Sequence, residues 1–345
     1  MRARFGIGVL ALLVLLVGAY TAWWYVLASR VESGFDDWAA ARQAEGWTVE
    51  VGSRHLGGWP LAARLDLSEV RLRGGAPSLP VAFTWDAAGL GVQVAPFAPA
   101  TLVILARGEQ RIALQGGQAL ALNGGTLRAL VPLDRPGPPW IVDVDAEGVH
   151  AGPPGGAPAS IGRMTAHATL APRASAAATA LSVILSAGRI ELPPGQPWPL
   201  GERIESIDAD IGLTGPIPPA GAPAARAETW RAAGGQAMLR SGTLRWGPLD
   251  ATATGTGGLD TRLQPLAEGT ARVTGWARTL DVLAAHHVIS DHAALTAKAV
   301  VSLLAETPSG GGPSVLTVPF AVRDGVESVR GIPLLRLPAL AWPKA

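Results

Sequence analysis

The sequence contains no cysteine, only two lysines and only one asparagine among its 345 residues. The absence of cysteine excludes disulfide bonds, thiol nucleophiles and thiolate metal sites. Basic and acidic residues nearly balance, leaving a net charge of +1, and no arginine or lysine cluster stands out. Since binding to nucleic acid relies on a concentrated positive patch, we expect no nucleic-acid partner.

Charge is also missing from residues 5–29, which contain no Asp, Glu, Lys, Arg or His. As a helix this stretch is roughly 37 Å long, enough to cross a hydrocarbon core of about 30 Å. Arg2 and Arg4 precede it, whereas Glu32, Asp36 and Asp37 follow it closely. The positive-inside rule therefore predicts a cytoplasmic tail at residues 1–4, a transmembrane signal-anchor at 5–29 and a body outside the cytoplasm.

Three aromatic residues, Trp23, Trp24 and Tyr25, lie near the far end of this span. Their position predicts an aromatic belt at the membrane interface. A cleavable signal peptide is the alternative, with cleavage sites after Ala28 or Ala19. Both interpretations export the body of the protein, and they differ only in whether an anchor remains.

The next segment, residues 30–45, has the spacing of an amphipathic helix. Val31, Phe35, Trp38 and Arg42 follow at i, i+4, i+7 and i+11, and Gly46 is suited to end the helix. Helices are expected to be few beyond this point, because 43 glycines and 29 prolines interrupt the chain.

From Trp47 onward the period of the apolar residues changes to two. Leu61, Ala63, Leu65 and Leu67 alternate with more polar residues, and similar short runs recur as far as residues 314–322. Such alternation predicts strands with one buried and one solvated face. The expected fold is mainly β with a few helices: a curved antiparallel sheet, forming a groove or an open barrel, behind one N-terminal transmembrane helix.

Two later segments have helical character. Residues 174–187 are rich in alanine and form either a helix or a strand with a loop. Residues 279–305 show partial 3.6-residue periodicity, which predicts two helices broken near Ser290 and Asp291, with the Asp291 side chain capping the second.

One stretch of the sequence is echoed later in the chain. Residues 116–134 and 234–250 share the order Gly-Gly-Gln-Ala, Gly-Thr-Leu-Arg and Pro-Leu-Asp. A structural repeat would divide the β-rich domain, residues 46–345, into halves at 46–200 and 201–345. Chance is the alternative, because the composition is dominated by Ala, Gly and Leu.

The Gly57-Gly58-Trp59-Pro60-Leu61 motif and the alternating strand after it resemble domain of unknown function 2125, an uncharacterised family of Gram-negative envelope proteins. Later pieces, such as Trp246-Gly247-Pro248-Leu249, also fit that family. The resemblance implies an inner-membrane protein with its body in the periplasm, and it supplies no catalytic residues. Residues 253–275 are similar in rhythm to AsmA-like envelope proteins, whose curved sheets carry an apolar groove associated with lipid movement.

Candidate chemistry is sparse. His286, His287, Asp291 and His292 form the densest polar cluster, and His287 and Asp291 have the i, i+4 spacing of helical metal ligands. More plausible is a polar helix surface, so we predict no metal, no cofactor and no enzymatic activity. An exported hydrolase or metal-dependent enzyme using His286, His287 or His292 is kept as an alternative.

Two pairs of aspartates have the spacing that places both carboxylates on one face of a strand. These are Asp143 with Asp145 and Asp208 with Asp210. A solvated sheet face is the simpler interpretation of both pairs, and a glycosidase-like or cation site is the alternative. No Gly-x-Ser-x-Gly elbow accompanies them.

Tryptophan is enriched, with 12 residues against two tyrosines and five phenylalanines. Trp59, Trp85, Trp246 and Trp276 lie in or beside strand-like runs. They either pack in the core, or line an apolar groove or touch the membrane interface. The sequence thus predicts a membrane-anchored, non-enzymatic protein that binds or passes lipid or supports envelope assembly. A scaffold that docks partner proteins through sheet edges is a further alternative.

Overall fold

The computed structural model describes residues 2–75, 82–114, 117–134, 140–171, 174–175, 177–218, 222–306, 312–329, 332–340 and 342. Strands dominate these residues, and helices are few. The helices are α1 (Arg2–Ala44), α2 (Pro223–Ala232), α3 (Trp276–Ala285) and α4 (Asp291–Leu304).

The strands follow one another along the chain in a single sheet. They are β1 (Thr48–Glu50), β2 (Ser53–Gly57), β3 (Ala63–Gly74), β4 (Phe83–Ala95), β5 (Ala98–Leu114), β6 (Leu120–Asn123), β7 (Thr126–Pro132), β8 (Trp140–Gly152), β9 (Ala159–Leu170), β10 (Thr179–Glu191), β11 (Arg203–Thr214), β12 (Ala237–Trp246), β13 (Leu249–Leu259), β14 (Pro265–Thr274), β15 (Leu316–Arg323), β16 (Val326–Val329) and β17 (Ile332–Arg336).

The sheet is an antiparallel meander. β1 and β2 both pair with β3, and β6 and β7 both lie between β5 and β8. Every other strand pairs with its neighbour in the sequence, as far as β17. The sheet is curved and is not closed into a barrel. The predicted fold class, a mainly β protein with a curved antiparallel sheet and a few helices, is therefore confirmed.

The two faces of the sheet differ in chemistry along almost its whole width. Twelve directly paired residues, all apolar, cross the sheet from β3 to β15: Leu67, Leu90, Ala106, Leu127, Ala146, Met164, Ala187, Ile207, Leu244, Ala251, Val273 and Leu316. We call the face that carries this row the apolar face. The next paired row points the opposite way, and from β7 to β15 it consists of polar residues: Arg128, Asp145, Thr165, Ser186, Asp208, Thr243, Thr252, Arg272 and Thr317.

Left-handed residues interrupt four strands of the sheet, β3, β5, β8 and β10. Glu69 in β3 and Arg189 in β10 have φ angles of 51° and 54°, and Gly108 and Gly148 have φ angles of 65° and 64°. At Glu69 the alternation of buried and exposed side chains along β3 shifts by one residue. As a result, Leu67 and Val70, each 2% exposed, both lie on the apolar face. Such bulges bend a strand and increase its twist, which accounts for the curvature of the sheet.

Helix α1 runs without interruption from Arg2 to Ala44, so the predicted span and the predicted amphipathic helix are parts of one element. Two residues of the predicted stripe pack on the body. Val31 is buried in the main core with Leu65, Leu67 and Val70, and Phe35 packs against that core. The Arg42 guanidinium lies 5.6 Å from the Trp47 ring centroid. The main core is therefore formed between α1 and the first strands of the sheet.

The helix alternative for residues 174–187 is wrong, because most of this segment belongs to β10. Leu181, Val183 and Leu185 lie on the apolar face and pair with both β9 and β11. Pairing on two sides outweighs the helical propensity of alanine. Helix α2 was not predicted.

The break in residues 279–305 is confirmed, since α3 ends at Ala285 and α4 begins at Asp291. The capping prediction is wrong, because Ser290 is the N-cap. Its Oγ accepts a hydrogen bond from the Ala293 N–H at 3.1 Å, whereas Asp291 is the first helical residue.

In both copies of the echoed stretch, the pairing of the strand with its neighbours is interrupted. The first copy covers β6 and β7, which are separated at Gly124 and Gly125 and share both neighbouring strands. The second covers β12, whose pairing with β13 shifts between Leu239 and Gly242. The division into two halves stays a prediction.

Candidate functional site: an apolar pocket beside α1

A cavity of about 710 Å³ lies between α1 and the apolar face. Ligand pockets typically measure about 300–1,000 Å³, so its size suits a small molecule or part of a lipid. Its lining consists of Trp23, Leu27, Arg30, Val31, Gly34, Phe35, Trp38, Leu67, Val70, Leu72, Trp85, Leu90, Val92, Val94, Pro99, Leu102, Ile104, Val131 and Leu133. Arg30 is the one charged residue in this lining.

One flank of α1 forms the first wall. Trp23, Leu27, Arg30, Gly34 and Trp38 follow at helical spacing and all line the pocket. Gly34 leaves a gap in this wall, since a Cβ at that position would have no heavy atom within 4 Å. A side chain introduced at position 34 would therefore have open space at the pocket wall.

Strands β3, β4, β5 and β7 form the second wall. Leu67 pairs with Leu90, Val92 with Ile104, and Leu102 with Val131. All of these side chains point to the apolar face, because residues paired directly across strands share a face. The wall is thus a continuation of the apolar face that α1 leaves partly uncovered.

Trp85 lies in the pocket wall, and a buried polar residue fixes its orientation. Its Nε1 donates a hydrogen bond to Gln110 Oε1 at 3.1 Å, and Gln110 Nε2 donates to the Arg107 carbonyl at 3.0 Å. Gln110 is 2% exposed. Because a buried amide is tolerated only when hydrogen-bonded, this pair holds the Trp85 ring in place.

The other three groove candidates lie elsewhere. Trp59 is 52% exposed between β2 and β3. Trp246 packs against Ile204 on the apolar face and donates from Nε1 to the Gly201 carbonyl at 2.8 Å. Trp276 begins α3 and is partly buried. The structure therefore brings only Trp85 of these four tryptophans to the pocket.

The three predicted interface aromatics have different surroundings. Trp24 is buried against the body with Leu27, Ala28 and Ala63, and its Nε1 donates to the Ala62 carbonyl at 2.6 Å. Trp23 is 40% exposed and borders the pocket. Tyr25 is 65% exposed and meets Trp24 edge to face.

The histidine cluster is split by the break between α3 and α4. His286 caps α3, His287 has a left-handed φ of 56°, and Asp291 opens α4. His287 and Asp291 therefore do not share a helix face. Among the residues that the structure describes, no group of three His, Asp or Glu side chains is arranged to hold a metal ion.

The aspartate pairs lie on the polar face, as their spacing predicts, and each carboxylate has a cross-strand partner. Asp143 contacts His167 Nδ1 at 2.6 Å, and Asp145 accepts from Arg128 Nε at 3.1 Å. Asp208 accepts from the Ser186 hydroxyl at 2.6 Å. Asp210 accepts a hydrogen bond from Arg240, and this bond raises the pKa of the Arg240 guanidinium above its ordinary value.

A second depression, of about 770 Å³, lies over β12 to β15. It is shallower, and its lining includes Arg240 and Glu268 beside Phe320 and two glycines. The pocket beside α1 is more enclosed and more apolar, and it adjoins the helix that can cross a membrane. It is therefore the better candidate site.

Within the described residues, one helix, α1, is long and apolar enough to cross a membrane. The model of a bacterial family described as uncharacterised, DUF2125, matches residues 24–338. No curated protein and no solved structure matches the chain significantly. The similarity to AsmA-like proteins stays a prediction.

Proposed function

The chain belongs to the uncharacterised bacterial family DUF2125, which brings no known activity, and from its geometry we propose a membrane-anchored lipid-binding protein. In this proposal, the pocket beside α1 takes up an acyl chain of a membrane lipid. The observation that carries it is an apolar cavity of about 710 Å³ walled by the same helix that can cross the bilayer. A lipid tail reaching this cavity would exchange one apolar environment for another.

The anchor is retained in this proposal, because the body is built on it. Trp24, Leu27 and Ala28 are 6%, 5% and 1% exposed and pack against Ala63. Cleavage after Ala28 would remove all three from that cluster. With Arg2 and Arg4 in the cytoplasm, the sheet lies on the periplasmic side of the inner membrane.

Arg30 is suited to meet the polar end of such a lipid. It is the first charged residue after the apolar span, and its side chain is exposed at the pocket. Within the described part of the chain, no ion pair involves Arg30. A guanidinium beside an apolar cavity is complementary to a lipid phosphate followed by its acyl chains.

The apolar face offers room beyond the pocket. The paired row from Leu67 continues to Leu316. Other residues on the same face, such as Leu185, Ala209 and Ala253, are only partly buried. Contiguous apolar surface that is left uncovered marks a site of interaction. This uncovered surface supports a protein that holds lipid or passes lipid along the sheet. It does not favour one that encloses lipid in a closed cavity.

Filling the pocket tests the proposal. Gly34→Leu places a side chain into open space on the pocket stripe of α1. We expect severalfold less phospholipid retained per protein, together with unchanged or higher stability, since leucine favours the helix over glycine by up to about 1 kcal/mol. Native mass spectrometry of the full chain after detergent extraction measures the lipid, and thermal unfolding measures the stability.

Gly18→Leu is the matched control, because Gly18 lies in the same helix and its Cβ position is also unobstructed. Gly18 does not line the pocket, so we expect this variant to leave lipid retention unchanged. Equal retention in wild type and both variants would overturn the proposed function.

A further inference from the structure

We propose that a second part of the chain, besides α1, enters the membrane: two connections between strands whose tips carry Trp59, Leu61 and Phe97. We call these three residues the apolar rim. They insert into the interfacial region of the phospholipid bilayer that α1 crosses. Trp59 and Leu61 lie between β2 and β3, and Phe97 lies between β4 and β5. Their side chains are 52%, 79% and 83% exposed, which is unusual for three large apolar residues close together.

The rim is attached to α1 at a defined level. The Phe97 ring stacks on the Tyr20 ring with centroids 5.7 Å apart. The Tyr20 hydroxyl donates a hydrogen bond to the Pro60 carbonyl, between Trp59 and Leu61. One turn further along, Trp23 Nε1 donates to the Pro96 carbonyl at 3.3 Å. The depth of the rim in the membrane is therefore set by the depth of Tyr20.

The length of the apolar span fixes that depth. From Phe5, the first residue after Arg4, to Tyr20 is 16 residues, or only about 24 Å of helix. A hydrocarbon core of about 30 Å needs roughly 20 residues, which carries the span to about Trp24. Since the rim contacts α1 before that point, α1 cannot cross the core unless the rim reaches the bilayer interface.

The composition of the two tips is compatible with this position. Residues 56–63 and 94–106 contain no charged side chain. Tryptophan at a bilayer interface places its ring among the upper acyl chains and its N–H near water, and leucine and phenylalanine add apolar contact. The rim would thus hold the body upright on the membrane, with the pocket mouth near its surface. This inference does not depend on lipid occupying the pocket.

The absence of cysteine permits a direct test in the full chain. Leu61→Cys, Phe97→Cys and the control His286→Cys are each reconstituted in phosphatidylcholine–phosphatidylglycerol vesicles and treated with a membrane-impermeant maleimide. His286 is exposed at the other end of the strands, between α3 and α4. Its extent of labelling also reports the fraction of molecules with the body outside.

We expect the thiols at positions 61 and 97 to react at least tenfold more slowly than the thiol at position 286. After the vesicles are dissolved by a short-chain detergent, the difference in reaction rate should shrink. Rates equal to the control in intact vesicles would overturn the proposal. Protection in cells but not in purified vesicles would also overturn it, since a protein partner would then cover the rim.

Discussion

Replacing Trp24 by alanine is expected to lower the free energy of unfolding by about 3–5 kcal/mol, the usual cost of truncating a buried tryptophan. Trp24 is 6% exposed, although apolar residues earlier in the same helix, such as Leu15 and Leu16, are 70% and 57% exposed. It packs against Ala63 at the start of β3, and its indole nitrogen donates to the Ala62 carbonyl at 2.6 Å. The substitution removes the packing and the hydrogen bond that Trp24 contributes between α1 and the sheet.

Trp23→Ala is the matched control. The neighbouring tryptophan is 40% exposed, and its hydrogen bond to the Pro96 carbonyl is longer, at 3.3 Å. We expect a loss below about 1 kcal/mol for this variant. Chemical denaturation of the detergent-solubilised chain, followed by circular dichroism of the β signal, compares the two variants. If both lose the same stability, α1 does not pack on the body as described.

The second large effect concerns lipid. Leu102→Asp places a carboxylate in the pocket wall, where an acyl chain would have to bury it without a partner. A penalty of only about 1.4 kcal/mol reduces binding tenfold, and burying an unpaired charge costs more than that. We therefore expect at least a tenfold loss of retained phospholipid, measured by lipid mass spectrometry of the purified full chain.

Val103→Asp controls for the introduction of charge into β5. Val103 is the next residue along the strand and does not line the pocket, so its side chain points to the polar face. This variant should retain lipid as wild type does, with both proteins showing the same circular dichroism spectrum. Lipid loss in both variants would indicate damage to the sheet rather than to the pocket.

The fold class was predictable because the apolar residues alternate in segment after segment. Leu65 and Leu67, for example, are 0% and 2% exposed on one face, as alternation predicts. The lengths of the strands were not predictable from runs of alternation. β5 extends over 17 residues and includes Gly108, a left-handed residue that shifts the alternation and divides the sequence pattern in two.

The pocket could be predicted only in part. Trp85 was a candidate from its place in a strand-like run, and the stripe from Val31 to Trp38 was visible as a helical pattern. Arg30, Gly34 and Leu102 were missed, because their importance depends on α1 packing along β3 to β5, a contact between distant parts of the chain. The burial of Trp24 was missed for the same reason. In the sequence alone, an aromatic residue at the end of an apolar span predicts a position at the membrane interface.

The central claim, that membrane lipid enters the pocket between α1 and the sheet, is tested most directly by position-specific crosslinking in cells. A photoreactive phenylalanine analogue is incorporated at Ile104, in the pocket wall, or at Val103, on the polar face of the same strand. After irradiation, mass spectrometry of the purified full chain should find a phospholipid adduct at position 104 and none at position 103. An unmodified chain at both positions, or equal adducts at both, would contradict the account.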